Sequence, residues 1–248
     1  MSLKRNIVQM GSKPSSTASL QTNASKRKRL NNQASHHNLQ IDQKTNQIKS
    51  TQQFNKQQCE QLFKHYADPD IPDTITPDGT RQFFEDLGLS IEDVLIFAIA
   101  WKMHTSTMGY ITKQEWMVGM EELGTDSLEK LRAKRPEFDK AFHDPAEFRE
   151  MYKYTFSYAK NKDQKCMEIE TAIVVWTMLL GDRFPIVHEF VTFLQEKKPA
   201  KVINRDQWQS FLDFVSTDLS NYDESSAWPV LFDEFVEWKK ERDIQMSE

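Results

Sequence analysis

Residues 104–115 have the spacing of a calcium-binding loop but lack most of its ligands. The segment reads HTSTMGYITKQE. On the EF-hand pattern, Gly109 takes the sharp-turn position, Ile111 the apolar position and Glu115 the final bidentate position. The earlier ligand positions hold side chains other than carboxylates: His104, Ser106 and Met108. Because calcium prefers several carboxylate oxygens, the pattern predicts a helix–loop–helix skeleton without metal. If the loop bound calcium nevertheless, the protein would be a calcium-responsive adaptor of the EF-hand type, and we keep this function as an alternative.

The chain offers little that would act as a nucleophile, a zinc site or a phosphate loop. A thiol-dependent transferase needs a cysteine activated by a base or a positive charge. Cys59 lies on an apolar helical segment and Cys166 follows a charged loop, and nothing nearby marks either as a nucleophile. The histidines form no HExxH motif or paired Cys/His spacing, and no glycine-rich phosphate loop occurs. We therefore predict no catalytic residues, no metal and no cofactor, and hence a protein that is not an enzyme.

Apolar residues after residue 53 recur at helical spacing, and no alternating strand pattern persists. This spacing predicts an all-α, multi-helix domain built from EF-hand-like helix–loop–helix pairs without bound metal. We expect helices at about 55–66, 77–88, 91–103, 112–123, 127–142, 145–159, 168–180, 185–197, 205–216 and 228–242.

Several helix ends carry chemical signals. Proline stands in the first turn, where its missing N–H costs little, after Thr76, Asp144 and Trp228. Thr112 and Glu115 have capping-box spacing. Left-handed glycines are expected to close helices at three positions: Gly88, Gly124 and Gly181.

Charge divides the chain at about residue 51. Residues 1–51 hold nine Lys or Arg, one acidic residue (Asp42) and no aromatic residue. The remaining 23 basic and 36 acidic residues give 52–248 a net charge of −13. Residues 1–51 lack the apolar surface needed to offset the entropy of ordering. We predict a disordered basic tail at 1–51 and one helical domain at 52–248.

The tail also carries a candidate nuclear localisation signal, the basic cluster Lys26, Arg27, Lys28 and Arg29. Two cysteines favour a reducing compartment. No apolar run reaches the length of a membrane span, and the amino terminus has no hydrophobic signal core. We expect a protein of the nucleus and cytoplasm with no membrane partner.

The segment 218–238, DLSNYDESSAWPVLFDEFVEW, is the most distinctive in the chain. Other distinctive runs are IAWKM at 99–103, GMEELGTDSLEKLRAK at 119–134, YKYTFSYAKNKDQK at 152–165 and NRDQW at 204–208. Together they resemble the defective-in-cullin-neddylation family, also called the potentiating-neddylation domain. The resemblance covers roughly residues 54–238, and the basic tail resembles that of the nuclear-type members. It implies EF-hand-like helix pairs and a scaffold-type E3 co-ligase that brings a cullin to an E2 charged with a ubiquitin-like modifier.

The resemblance places the contact with the cullin C-terminal winged-helix region on Asp206, Ala227 and Asp233. On the last helix, Asp233 and Glu237 lie one turn apart and off the apolar stripe, so we expect both to be exposed. Asp206 has a second explanation, because a carboxylate in a first helical turn favours the helix dipole. An acidic surface also fits the net charge of the domain, which would steer basic partners.

The resemblance also implies an apolar groove that receives the N-acetylated methionine and amphipathic helix of the neddylation E2. Its matching positions are Ile96, Ala100, Met103, Ile111, Tyr158, Val175 and Met178. All seven are apolar or aromatic, so core packing is the alternative interpretation. Acetylation removes a charge that would be costly to desolvate in such a pocket.

Two departures from the family pattern bear on these surfaces. The run 214–218 is about three residues short, close to one helical turn, which would shift the helix of Asp206 relative to that of Asp233. Gly109 and Val175 stand where more bulk is usual, which would widen the groove.

A third functional class is a nucleic-acid-associated protein acting through the basic tail. Only the tail is basic, it has no interleaved aromatic residues, and the acidic domain would repel phosphates. We therefore expect no nucleic-acid partner, and a monomer.

Overall fold

The computed structural model describes residues 54–223 and 225–245. Over these residues the chain is helical with four two-residue strands, which confirms the predicted all-α fold. The helices are α1 (Lys56–Tyr66), α2 (Pro77–Asp86), α3 (Leu95–Lys102), α4 (Lys113–Glu122), α5 (Leu128–Ala133), α6 (Arg135–His143), α7 (Pro145–Ala159), α8 (Ile169–Leu180), α9 (Ile186–Lys197), α10 (Arg205–Phe214), a 3-10 turn (Leu219–Asn221) and α11 (Val230–Gln245). The predicted tail at 1–51, with its basic cluster at 26–29, lies outside the described residues.

Within the described ranges, none of the helices combines the length and the apolar character needed to cross a bilayer.

Short antiparallel strands join the helix–loop–helix units in pairs. β1 (Thr74–Ile75), between α1 and α2, pairs with β2 (Ile111–Thr112), between α3 and α4. β3 (Met167–Glu168) and β4 (Val202–Ile203) pair in the same way between α7–α8 and α9–α10. Strands of two residues are too short to produce a sequence alternation, which is why the apolar pattern did not predict them. Kinship of these units with EF-hands stays a prediction.

The predicted helix at 127–142 is wrong: two helices, α5 and α6, occupy the segment. Lys134 ends α5 and also begins α6. Pro136 stands two residues after Lys134. It has no N–H to donate to a preceding carbonyl, so it interrupts the ladder of helical hydrogen bonds. The predicted start of α3 at 91 is also early, because Asp93 makes a turn with Ser90 and its carboxylate accepts from the backbone N–H of Leu95 at 2.9 Å.

Two of the three glycine predictions are confirmed. Gly88 and Gly124 have φ values of 84° and 65°. Gly181 is right-handed, with φ −57°, so the prediction for it is wrong. A Cβ there would lie 2.5 Å from the carbonyl oxygen of Thr177, and this glycine therefore serves close packing rather than reversal of the chain. A left-handed residue does follow the next helix, α9: Lys198, with φ 50°.

A buried aromatic network connects α7, α8 and α10. Trp208 stacks on Tyr152 at 4.7 Å and on Trp176 at 5.3 Å between ring centroids. The Tyr152 hydroxyl accepts from Trp176 Nε1 at 2.8 Å and donates to the Trp208 carbonyl at 2.7 Å. Trp208 Nε1 donates to the Tyr152 carbonyl at 2.9 Å. The polar atoms of all three large rings are thereby satisfied inside the core, as buried polar groups must be.

Gly119, on α4, permits close contact with the end of α3. A Cβ at this position would lie 2.7 Å from Met103 Cα, a backbone atom. We expect Gly119→Ala to lower the free energy of unfolding by about 2 kcal/mol or more, because α3 and α4 must separate to admit the methyl group. Urea denaturation measures this. The control is Val118→Ala, since Val118 is 44% exposed and its loss is expected to change stability by less than about 0.5 kcal/mol. Equal effects of the two substitutions would contradict the close approach.

Candidate partner-binding surfaces

The loop at 104–115 is organised by hydrogen bonds to Glu115. One carboxylate oxygen accepts from the Ser106 N–H at 2.8 Å, and the other accepts from the Thr112 N–H and hydroxyl, each at 2.8 Å. The Thr112 hydroxyl accepts in turn from the Glu115 N–H, which completes the predicted capping box. Burial opposes ionisation, but the hydrogen bonds from Ser106 and Thr112 outweigh it and hold the pKa of Glu115 below its usual value. The carboxylate that a calcium ion would require is therefore bound by the protein itself.

The other described residues offer little that could bind a metal ion or act as a reactive thiol. No group of three or more His, Cys, Asp and Glu side chains is placed to hold a metal ion among those residues. Burial raises the pKa of the Cys59 thiol to about 11, so the thiolate needed for nucleophilic attack is scarce at neutral pH. Cys166 is half-buried.

The three predicted cullin-binding residues define what we call the acidic C-terminal surface: Asp206, Ala227 and Asp233. Asp206 lies exposed in the first turn of α10, whose start is capped by reciprocal bonds between Asn204 and Gln207. Ala227 is exposed in the loop before α11. Each therefore has surface available to a partner.

Asp233 is half-buried, whereas the sequence predicted it to be exposed together with Glu237. Glu237 is exposed. The difference arises from Tyr222, whose hydroxyl donates to Asp233 Oδ1 at 2.5 Å. Periodicity along α11 does not report a residue that folds over the helix from a preceding loop, so the sequence reasoning missed Tyr222. The only signal was its presence within the distinctive segment 218–238.

Phe214 packs the end of α10 against α11 near this surface. It is fully buried at the end of α10 and stacks on Phe232 of α11 at 4.6 Å. Ala227 and Asp233 neighbour residues of that contact, because Trp228 lies 5.8 Å from Phe214 and Asp233 follows Phe232. Asp206 is eight residues before Phe214, about 12 Å along the helix axis at about 1.5 Å per residue. Asp206 therefore lies at the opposite end of α10 from the contact with α11.

Other carboxylates add negative charge near the acidic C-terminal surface. Hydrogen bonds from Ser220 lower the pKa of Asp218, and those from Ser225 lower the pKa of Asp223. Both acids are therefore ionised at neutral pH, but their oxygens are engaged in their own turns. On α10, the Arg149 guanidinium holds the pKa of Asp213 below its usual value through bonds of 2.5 and 3.1 Å. This ion pair also attaches α10 to α7.

We call the seven predicted E2-binding residues the apolar groove; each lies in one hydrophobic cluster or packs against it. Five of them are nearly inaccessible, with exposures between 1% and 4%: Ala100, Met103, Ile111, Tyr158 and Val175. Ile96 and Met178 are partly exposed and pack against that cluster. In the free protein, the surface of the groove is therefore concentrated at Ile96 and Met178.

The loop at 104–115 is attached to α7 beside the groove. Met108 N–H donates to the Tyr158 carbonyl at 2.9 Å, and the Tyr154 hydroxyl donates to the Thr105 carbonyl at 2.6 Å. Burial raises the pKa of Tyr158 to about 12, so its hydroxyl remains neutral at physiological pH. Met108 and Tyr110 are 41% and 44% exposed and extend the apolar surface of the loop. The sequence suggested Met108 as an adaptable wall of the groove but did not assign Tyr110 to it.

Comparisons with known proteins identify relatives of this chain. The family described as cullin binding matches residues 130–238. The chain is 40% identical over 197 residues to DCN1-like protein 4 of Drosophila melanogaster, an alignment that covers 78% of this chain and 79% of the relative. It is 41% identical over 210 residues to DCN1-like protein 4 of Danio rerio, covering 84% and 74% of the two chains. To DCN1-like protein 5 of Homo sapiens it is 40% identical over 198 residues, covering 79% and 82%.

The chain belongs to the DCN1-like family. This membership confirms the resemblance drawn from the motifs. The range matched by the cullin-binding family contains all three residues of the acidic C-terminal surface in this DCN1-like chain. Of the groove, it contains the α7 and α8 members but not those at positions 96–111. The cullin-binding match therefore covers the whole acidic C-terminal surface but only part of the apolar groove.

The hydrogen bonds of the Glu115 carboxylate make the alternative function, a calcium-responsive adaptor, testable. We expect titration with calcium to produce no saturable change in tryptophan fluorescence, because metal binding would have to break the bonds to Ser106 and Thr112. Trp116 is fully buried and adjoins Glu115, so it would report any rearrangement of the loop. A saturable change at micromolar calcium that disappears in Glu115→Gln would contradict this expectation.

Proposed function

We propose that this chain is a non-catalytic co-E3 of cullin neddylation that binds a cullin and a neddylation E2 together. The observation that carries the proposal is its identity of about 40% to DCN1-like proteins over most of both chains. The cullin partner is further supported by the family match at 130–238. Contact with the E2 and promotion of the transfer step follow from the motif resemblance and extend the proposal.

The acidic C-terminal surface is the proposed cullin site. Asp206 and Asp233 supply carboxylates that bind Lys or Arg side chains of the cullin. The exposed methyl group of Ala227 is small enough for the cullin to approach closely. The aromatic contact between Phe214 and Phe232 fixes the two acidic helices relative to each other. Charged residues in such an arrangement determine the orientation and the association rate of a basic partner.

The apolar groove is the proposed E2 site. An N-acetylated methionine brings an uncharged, flexible apolar group, and Met103 and Met178 supply adaptable walls. Because Met103 is almost inaccessible in the free protein, entry of the ligand side chain requires small shifts of the cluster. Ile96 and Met178, which are partly exposed, would make the first contacts.

A scaffold of this kind accelerates transfer by converting an encounter of separate proteins into an oriented, nearly intramolecular step. It requires two surfaces held in fixed relation. Tyr158 lies on α7 and Met178 on α8, while Asp206 lies on α10. These helices share the Tyr152–Trp176–Trp208 network, so the proposed surfaces are connected through a packed core.

The cullin assignment is tested by reconstituted transfer of the modifier from charged E2 to a cullin C-terminal domain. We expect wild type to accelerate transfer and Asp206→Ala/Ala227→Arg/Asp233→Ala to lose most of that acceleration, because two anionic contacts are removed and a like charge is introduced. The matched control is Asp163→Ala/Ala133→Arg/Asp182→Ala, which makes the same chemical changes at exposed positions outside both surfaces.

Circular dichroism establishes that both triple variants are folded. Equal acceleration by the surface triple variant and wild type would remove the acidic C-terminal surface from the mechanism while leaving the activity. Absence of acceleration by wild type would contradict the proposed function itself.

The E2 assignment is tested by the affinity for a peptide that carries the amphipathic N-terminal helix of the E2. We expect the acetylated peptide to bind more tightly than the same peptide with a free amine, because a charged amine is costly to desolvate. Met178→Ala is expected to weaken binding of the acetylated peptide by about tenfold through lost apolar contact. Val174→Ala is the control, since Val174 is on the same helix and is 57% exposed. Similar effects of both substitutions would contradict the groove.

The location in nucleus and cytoplasm, and the monomeric state, remain proposals. The basic cluster at 26–29 supports import into the nucleus through its composition alone.

A further inference from the structure

Tyr222 binds Asp233 across the loop that connects α10 to α11. Its hydroxyl donates to Asp233 Oδ1 at 2.5 Å, although the two residues are eleven positions apart. Both side chains are half-buried. This length is typical of a hydrogen bond from a hydroxyl to an ionised carboxylate, which is stronger than one between neutral groups.

The ring of Tyr222 is itself held in place by the core. It meets Phe214 edge to face, with 6.0 Å between ring centroids and an interplanar angle of 87°. Phe214 is fully buried and stacks on Phe232, the residue immediately before Asp233. Phe214 therefore supports both partners of the hydrogen bond, one through the loop and one through the helix. The hydroxyl reaches Asp233 from a fixed position.

The other acids of the loop are bound differently. Asp218 and Asp223 accept from Ser220 and Ser225, two residues further along the chain, and so form local turns. Asp233 is instead oriented by a residue outside its own helix. The bond to Tyr222 uses one of the roughly four acceptor positions of a carboxylate, so the others can receive a Lys or Arg of a partner.

We propose that Tyr222 is a positioning residue for the cullin contact, which holds the Asp233 carboxylate in the orientation that a basic side chain of the cullin engages. The inference rests on the proposed function and adds to it a residue that acts through Asp233. A carboxylate already held in one rotamer loses less conformational entropy on binding than a free one. The same bond attaches the loop to α11 and thereby restrains Ala227, which lies between Tyr222 and Asp233 in the chain.

The test is a double-mutant cycle with Tyr222→Phe and Asp233→Ala, read out as affinity for a cullin C-terminal domain. Tyr222→Phe keeps the ring that packs on Phe214 and removes only the hydroxyl. We expect Tyr222→Phe to weaken binding about three- to tenfold in wild type, mostly through faster dissociation. In the Asp233→Ala background, we expect the same substitution to have no effect, because the residue through which it acts is gone.

The four proteins are compared well below the lowest of their thermal unfolding midpoints, so a difference in stability does not enter the affinities. Equal loss from Tyr222→Phe in both backgrounds would assign Tyr222 a purely structural role and overturn the proposal. Unchanged affinity of Tyr222→Phe, while Asp233→Ala weakens binding, would overturn it and leave the proposed function intact. Failure of wild type to bind the cullin domain would remove the proposed function, and this inference with it.

Discussion

The arrangement of both proposed surfaces depends on the hydrogen bonds of the Tyr152 hydroxyl. It accepts a hydrogen bond from Trp176 and donates one to the Trp208 carbonyl, which joins α7, α8 and α10 at one buried point. Complete burial raises the pKa of this tyrosine well above its ordinary value, so the hydroxyl stays neutral and keeps its donor. These helices carry Tyr158, Met178 and Asp206 respectively. A scaffold that aligns two partners requires such a rigid connection, because disorder between its sites would reduce the gain from proximity.

Protein hydrogen bonds take the place that metal ligation has in a calcium-binding loop. Glu115 binds the backbone of Ser106 and the cap of α4, and the paired strands β1 and β2 join this loop to the one at 68–76. Met108 and Thr105 then attach the loop to α7. The loop is thus held in one conformation by groups that do not depend on a metal concentration.

Phe214 has the corresponding role at the acidic C-terminal surface. The sequence predicted that the run 214–218 is shorter than the family pattern. Tyr222 and Trp228 both contact Phe214 and return the loop to the core. Aromatic contacts therefore fix the path of the chain between α10 and α11. The acids near this surface are divided by their chemistry: some stabilise turns, whereas Asp206 lies exposed and Asp233 is oriented by Tyr222.

The sequence by itself determined which segments are helical, because helical periodicity, prolines in first turns and the capping box at Thr112 are local signals. It also determined the family, since the motifs are long and spread over most of the domain. The break at Lys134 was also marked in the sequence, by Pro136, although helical periodicity alone did not reveal it. Tertiary structure alone decided the two-residue strands and the half-burial of Asp233. It also decided that five of the seven groove residues are enclosed. These features depend on contacts between residues far apart in the chain, and the spacing of residues along one helix carries no information about them.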